Sequence, residues 1–191
     1  MTKVLLISKL VLAGTILIFG SINFQACSPL DKKAELDKID TLNQWLDEAE
    51  NTMVIEEKSI QERHDSIDLK LEFIGENIKN MSREDQNLLT DYRAVRRAYN
   101  YYLQNYEGVR IEHDMHRERI ENLEKDIRAG RIDEDEFEEI YEEESKVISQ
   151  HKFEAQELIS PVVQVEQMYQ RTHNKVREMY LNTLAEQRAN S

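Results

Sequence analysis

Five histidines, His64, His113, His116, His151 and His173, are the side chains of this 191-residue chain best suited to chemistry near neutral pH. His113 and His116 stand three apart, so both imidazoles share one face of any helix. With a rise of ~1.5 Å per residue along two helices folded back on each other, His113 and His151 reach nearly the same height, with His116 one turn below. Glu50, on a preceding helix, reaches that height too. Three imidazoles and a carboxylate in one core layer are a ligand set that suits zinc or another transition metal. The same four residues also make a register layer, in which polar side chains on a helix seam fix alignment through hydrogen bonds alone, at some cost in stability. The register layer, without a metal cofactor, is the expectation. His64 and His173 read as structural. The sequence has no nucleophile constellation, glycine-rich phosphate loop or H-E-x-x-H pair, so an enzyme is not expected.

Only long helices can bring these residues together, and heptad spacing supplies them. Ile39, Leu46, Met53, Ile60, Ile67, Ile74 and Met81 recur every seven residues. Their companions Leu36, Asn43, Glu50, Glu57, His64, Leu71 and Ile78 are apolar at both ends and polar in the middle, with Leu42 and Ala49 widening the thin central stripe. A second stripe, from Leu88 through Tyr92, Val95, Tyr99, Tyr102, Tyr106, Val109, His113, His116, Ile120 and Leu123 to Ile127, alternates steps of four and three. A third runs from Phe137 through Tyr141, Glu144, Ile148, His151, Ala155, Leu158, Val162, Val165, Tyr169, Thr172 and Val176 to Tyr180. Sustained spacing of this kind with charged flanks is the signature of a coiled coil. Tyr101 and Trp45 fall off the stripes and read as exposed contacts.

The helix ends are equally marked. Ser82 with Asp85 three later resembles a capping box, Gly130 after Arg128-Ala129 suits a helix stop, and Asp133 opens an acidic first turn. Pro161 lies inside the third stripe without shifting its phase, which predicts a kink and not a stop. The spacing therefore predicts helices over about 31–80, 83–129 and 133–188. They make an all-α fold over residues 34–191, an elongated antiparallel three-helix bundle or coiled coil with its third helix kinked at Pro161.

Composition excludes several alternatives. With 38 Asp and Glu against 25 Lys and Arg, the formal net charge is −13, which argues against a nucleic-acid partner. Five glycines and two prolines are too few for an all-β sandwich or a Rossmann fold. A single cysteine rules out an internal disulfide framework. The acidic run from Asp133 to Glu144 lacks the spacing and central glycine of a calcium-binding EF-hand loop.

That one cysteine sits at an informative place. Lys3 and Lys9 precede and flank an apolar run from Leu10 to Phe19, too short to span a bilayer and followed by Asn23 and Gln25, as in a secretory signal peptide. Phe24-Gln25-Ala26-Cys27 then resembles the lipobox of bacterial lipoproteins, with Ala26 and Cys27 carrying the match. The resemblance implies cleavage of residues 1–26, a thioether-linked diacylglycerol on Cys27 and usually a further acyl chain, such as palmitate, on its amine, leaving residues 27–33 as a lipidated tether. Ser28 after the cysteine resembles the pattern of lipoproteins sorted to the outer membrane. Cleavage removes two lysines and no acid, moving the net charge from −13 to −15. The expectation is an envelope lipoprotein held to the membrane by lipid. Its rod-like body would act as a spacer, scaffold or adaptor for a protein partner that the sequence does not name. Two further readings are a metal-binding bundle lipoprotein using the His/Glu layer, and a homo-oligomeric rod whose core is completed by a second copy. The helical body itself resembles no family.

Overall fold

The structure is a computed structural model that describes residues 31–189; the expected signal peptide and the expected lipidation site Cys27 lie outside the described residues. Four helices follow one another: α1 (Lys32–Thr52), α2 (Glu57–Asn77), α3 (Arg83–Ala129) and α4 (Glu134–Ala189). The long pair α3 and α4 forms an antiparallel hairpin. In the third position α1 packs against both at one end, and α2 packs against both at the other. The result is the all-α antiparallel bundle that the heptads predict, ~84 Å long along the 56 residues of α4.

The turns form as their residues dictate. Ser82 Oγ accepts from Asp85 N at 3.1 Å and donates to Asp85 Oδ2 at 2.7 Å, opening α3. At the other end of α3, Gly130 adopts φ 65°. Its N–H donates to Ile127 O, and Arg131 N–H donates to Asp126 O, the two bonds of a Schellman stop. Asp133 Oδ1 then accepts from Glu136 N at 2.9 Å to start α4. Helix α4 runs through Pro161 without stopping, and Leu158, Ile159 and Val162 around it stay buried. The exposed Glu157 carbonyl, four residues earlier, loses its helical donor to proline.

The first predicted helix differs from expectation. Instead of one helix over 31–80 there are two, parted at residues 53–56. The stretch Asn51-Thr52-Met53-Val54-Ile55 is poor in helix formers, and Val54 is left 75 % exposed. The sevenfold spacing continues across the gap, from Leu46 to Ile60, which is why the heptads did not betray it. The companion positions also differ. In α1 the core takes Leu42 and Ala49, not Asn43 and Glu50, because burying two apolar side chains outweighs burying an amide and a carboxylate. The side chain of Glu50 is consequently 65 % exposed.

Two separate apolar clusters result. The base cluster holds Ile39, Leu42, Leu46, Ile120, Leu123, Ile127, Phe137 and Ile148, with the half-buried Trp45 against it. The tip cluster holds Ile60, Ile67, Ile74, Leu89, Tyr92, Val95, Tyr99, Tyr102, Leu158, Ile159, Val162 and Val176. Val165, a predicted core position, is half-buried at the edge of the tip cluster, and Tyr101 is 44 % exposed. Gly75 and Gly108 lie within helices. An open groove of about 930 Å³ lies at the tip, among Asn77, Asn80, Asp91, Lys175, Glu178 and Glu186.

Candidate functional site

The histidine layer lies where the two clusters part. Along α3 it follows the tip residue Val109 and precedes the base residue Ile120. His113, His116 and His151 are 4 %, 8 % and 1 % exposed, as steps of three and four on α3 and α4 require. His113 Nδ1 stands 3.3 Å from His151 Nε2, and the His116 and His151 rings are 5.2 Å apart. Three of the four residues singled out by spacing therefore meet in one layer.

The fourth does not enter it. Glu50 Oε2 is 3.9 Å from His113 Nε2, on the solvent side, and accepts from Arg117 Nη2 at 3.0 Å. Arg117 also donates to Asp47 and stands 3.4 Å from His113 Nε2. Glu50 thus belongs to a surface ion-pair group, a consequence of the seam turning toward Ala49. Sequence spacing missed two other carboxylates. Those of Glu112 and Glu154 lie with a ring nitrogen of His151 so that the donor atoms are all within 4.8 Å of one another. Glu112 adjoins His113 and Glu154 follows His151 by three, flanking places from which a long side chain can bend toward the seam. Spacing alone gives no means of telling such a bend from a solvated flank.

Electrostatics keep the layer uncharged. Burial pushes the His113 ring below its usual range, helped by Arg117. Burial does the same to His116, helped by Arg119 and His113. His151 is pushed down furthest, to about 4, by burial and by the two neighbouring imidazoles. All three rings are neutral at neutral pH. Hydrogen bonds nevertheless do not complete the layer: Nδ1 of His116 and Nδ1 of His151 are buried with no partner. A groove of about 330 Å³ between α3 and α4, lined by Tyr101, Gly108, Glu112, Glu154, Glu157 and Leu158, opens beside it.

The tip handles its polar groups differently. Tyr102 donates to Ile55 O at 2.7 Å, capturing a carbonyl freed by the break in the first helix. Tyr92 Oη is 3.0 Å from His173 Nδ1, and Tyr99 Oη accepts from Arg63 Nη1 at 3.5 Å. Arg63 also donates to Glu166 at 2.9 Å. His64 is the exception: it lies 3.6 and 3.8 Å from Asp65 and Asp68, and both its ring nitrogens are buried without a hydrogen-bond partner.

No family model matches the chain, and neither a curated protein nor a solved structure matches it. Among the described residues, no helix is long and apolar enough to cross a membrane.

Proposed function

We propose that the chain is a non-enzymatic lipoprotein of the bacterial cell envelope, held on the outer membrane through acylated Cys27. Its helical body then serves as a rigid spacer and scaffold that carries a protein contact away from the bilayer. The observation that supports this reading most is where the chain enters the bundle. Cys27 precedes Lys32 by five residues, and Lys32 Nζ donates to Arg128 O at 3.1 Å, beside the Gly130 turn. A lipid at Cys27 therefore anchors one end of the rod, and the α2–α3 turn lies at the other. Two or three acyl chains at ~0.8 kcal/mol per CH₂ hold such a body essentially permanently. A net charge of −15 after cleavage keeps its flanks off anionic headgroups.

The test is metabolic labelling with a palmitate analogue. The wild type is expected to take up label, and Cys27→Ser to lose it and to accumulate as unprocessed precursor or as soluble product. Equal label on both would overturn the lipoprotein reading.

A further inference from the structure

We propose that His151, Glu112 and Glu154 form a binding site for a divalent transition-metal ion such as zinc, beside the groove between α3 and α4. The proposal is independent of the anchor. It rests first on convergence, since donor atoms of His151, Glu112 and Glu154 lie within 4.8 Å of one another. Donors around a tetrahedral ion at ~2.1 Å stand ~3.4 Å apart, so the set must close by about an ångström. Glu112 is exposed, and the half-buried Glu154 is held only by an exposed bond from Gln150 Nε2 at 2.8 Å, which the movement would exchange for the metal.

The second observation is independent of the carboxylates. His151 is 99 % buried, its Nε2 faces His113 Nδ1, and its Nδ1 has no hydrogen-bond partner. Nδ1 of the adjacent His116 has none either. An unsatisfied polar atom in a core costs ~1–3 kcal/mol, and coordination to a metal supplies the partner that such lone pairs lack. The chemistry of the donors narrows the ion. An imidazole with two carboxylates suits zinc and its borderline neighbours, with a fourth position left for water, whereas calcium and magnesium take oxygen ligands. Two carboxylates also balance a divalent charge, which limits the cost of taking the ion out of water. His113 lies behind His151 as the outer hydrogen-bond partner that ligating imidazoles commonly have. The groove past Tyr101 and Glu157 is the entry path.

The ligand set differs from the one that includes Glu50, and this makes it testable. The full chain, purified in detergent and stripped with EDTA, is titrated with zinc chloride by calorimetry at neutral pH. The expected result is one zinc per chain. A Glu112→Gln/Glu154→Gln variant should lose more affinity than the ~10–100-fold typical of losing an outer-shell partner. Its melting in EDTA should match the wild type, since neither residue fills the core. Glu50→Gln should bind zinc as the wild type does. Absence of stoichiometric zinc binding, or affinity unchanged in the Glu112/Glu154 variant, overturns the proposal. Affinity lost in Glu50→Gln instead also overturns it, in favour of the other ligand set.

Discussion

The tip and the middle of the bundle place polar side chains on the same two helical stripes, yet only the tyrosines of the tip are satisfied there. Tyr92, Tyr99 and Tyr102 are fully buried, and each hydroxyl has a partner: His173, Arg63 and the Ile55 carbonyl. His116 and His151, a few turns along the same α3–α4 pair, keep buried nitrogens without one. Tyr92 finds its partner on α4, and the other two hydroxyls find theirs in the third position of the bundle. Beside the tyrosines, α2 contributes Arg63, and the break contributes a free carbonyl. Beside the histidines, α1 contributes Ala49 and turns Glu50 outward before it ends at Thr52. The buried nitrogens of His116 and His151 receive no such partner, which leaves ligand positions open.

Away from these layers the two ends should behave alike, and this carries the largest effects. Phe137→Ala at the base should cost ~3–5 kcal/mol and Ile67→Ala at the tip ~2–5 kcal/mol, both side chains being fully buried. Urea denaturation measures each. A cost below about 1 kcal/mol at either position would show that its end is not packed as described.

Acid sharpens the contrast. The His151 ring titrates at about 4 in the folded protein and near 6.5 when unfolded. Below 6.5 the unfolded chain binds the extra proton, so stability present above that pH declines as pH falls, until the folded group titrates at about 4. His151 alone contributes on the order of 3 kcal/mol across this window. His113 and His116 shift in the same direction, as does His173 at the tip. The groups whose charges act on His151 are His113 and His116 from α3 and Glu154 from its own helix. Stability measured against pH in EDTA should therefore slope between pH 6.5 and 4, and a His113→Leu/His151→Leu variant should slope less. An unchanged slope in that variant would place the titrating groups elsewhere.

The smallest effect separates the layers at constant pH. Tyr102→Phe should cost ~1 kcal/mol, because it leaves the Ile55 carbonyl without its donor. In EDTA, His113→Leu/His151→Leu should melt at or above the wild type, since it removes unsatisfied groups from the core. A Tyr102→Phe without cost, together with a destabilised histidine variant, would reverse the comparison.

The α3 stripe was legible in the sequence nearly residue by residue because one strong, long period governs it, and the capping residues Ser82 and Gly130 act through local bonds. The histidine trio followed from that same period. The break at residues 53–56 did not, because the sevenfold recurrence runs through it while the loss of helix reflects weak local propensity beside a polar layer. Glu50 lies outside the layer because the core side of its seam is Leu42/Ala49 and not Asn43/Glu50, two faces that the heptad spacing alone does not separate. Glu112 and Glu154 were not legible, because they flank the seam and only side-chain reach brings them to it.

The proposed anchor stands the rod on its α3–α4 turn, and proximity to the bilayer tests this most directly. Fluorophores are attached to the full-length lipidated chain through Arg131→Cys, beside that turn, or Asn80→Cys, at the α2–α3 turn; both positions are exposed. In vesicles carrying headgroup spin-labelled lipid, strong quenching at 131 and none at 80 is predicted. Equal quenching at the two positions, or quenching at 80 alone, would contradict it.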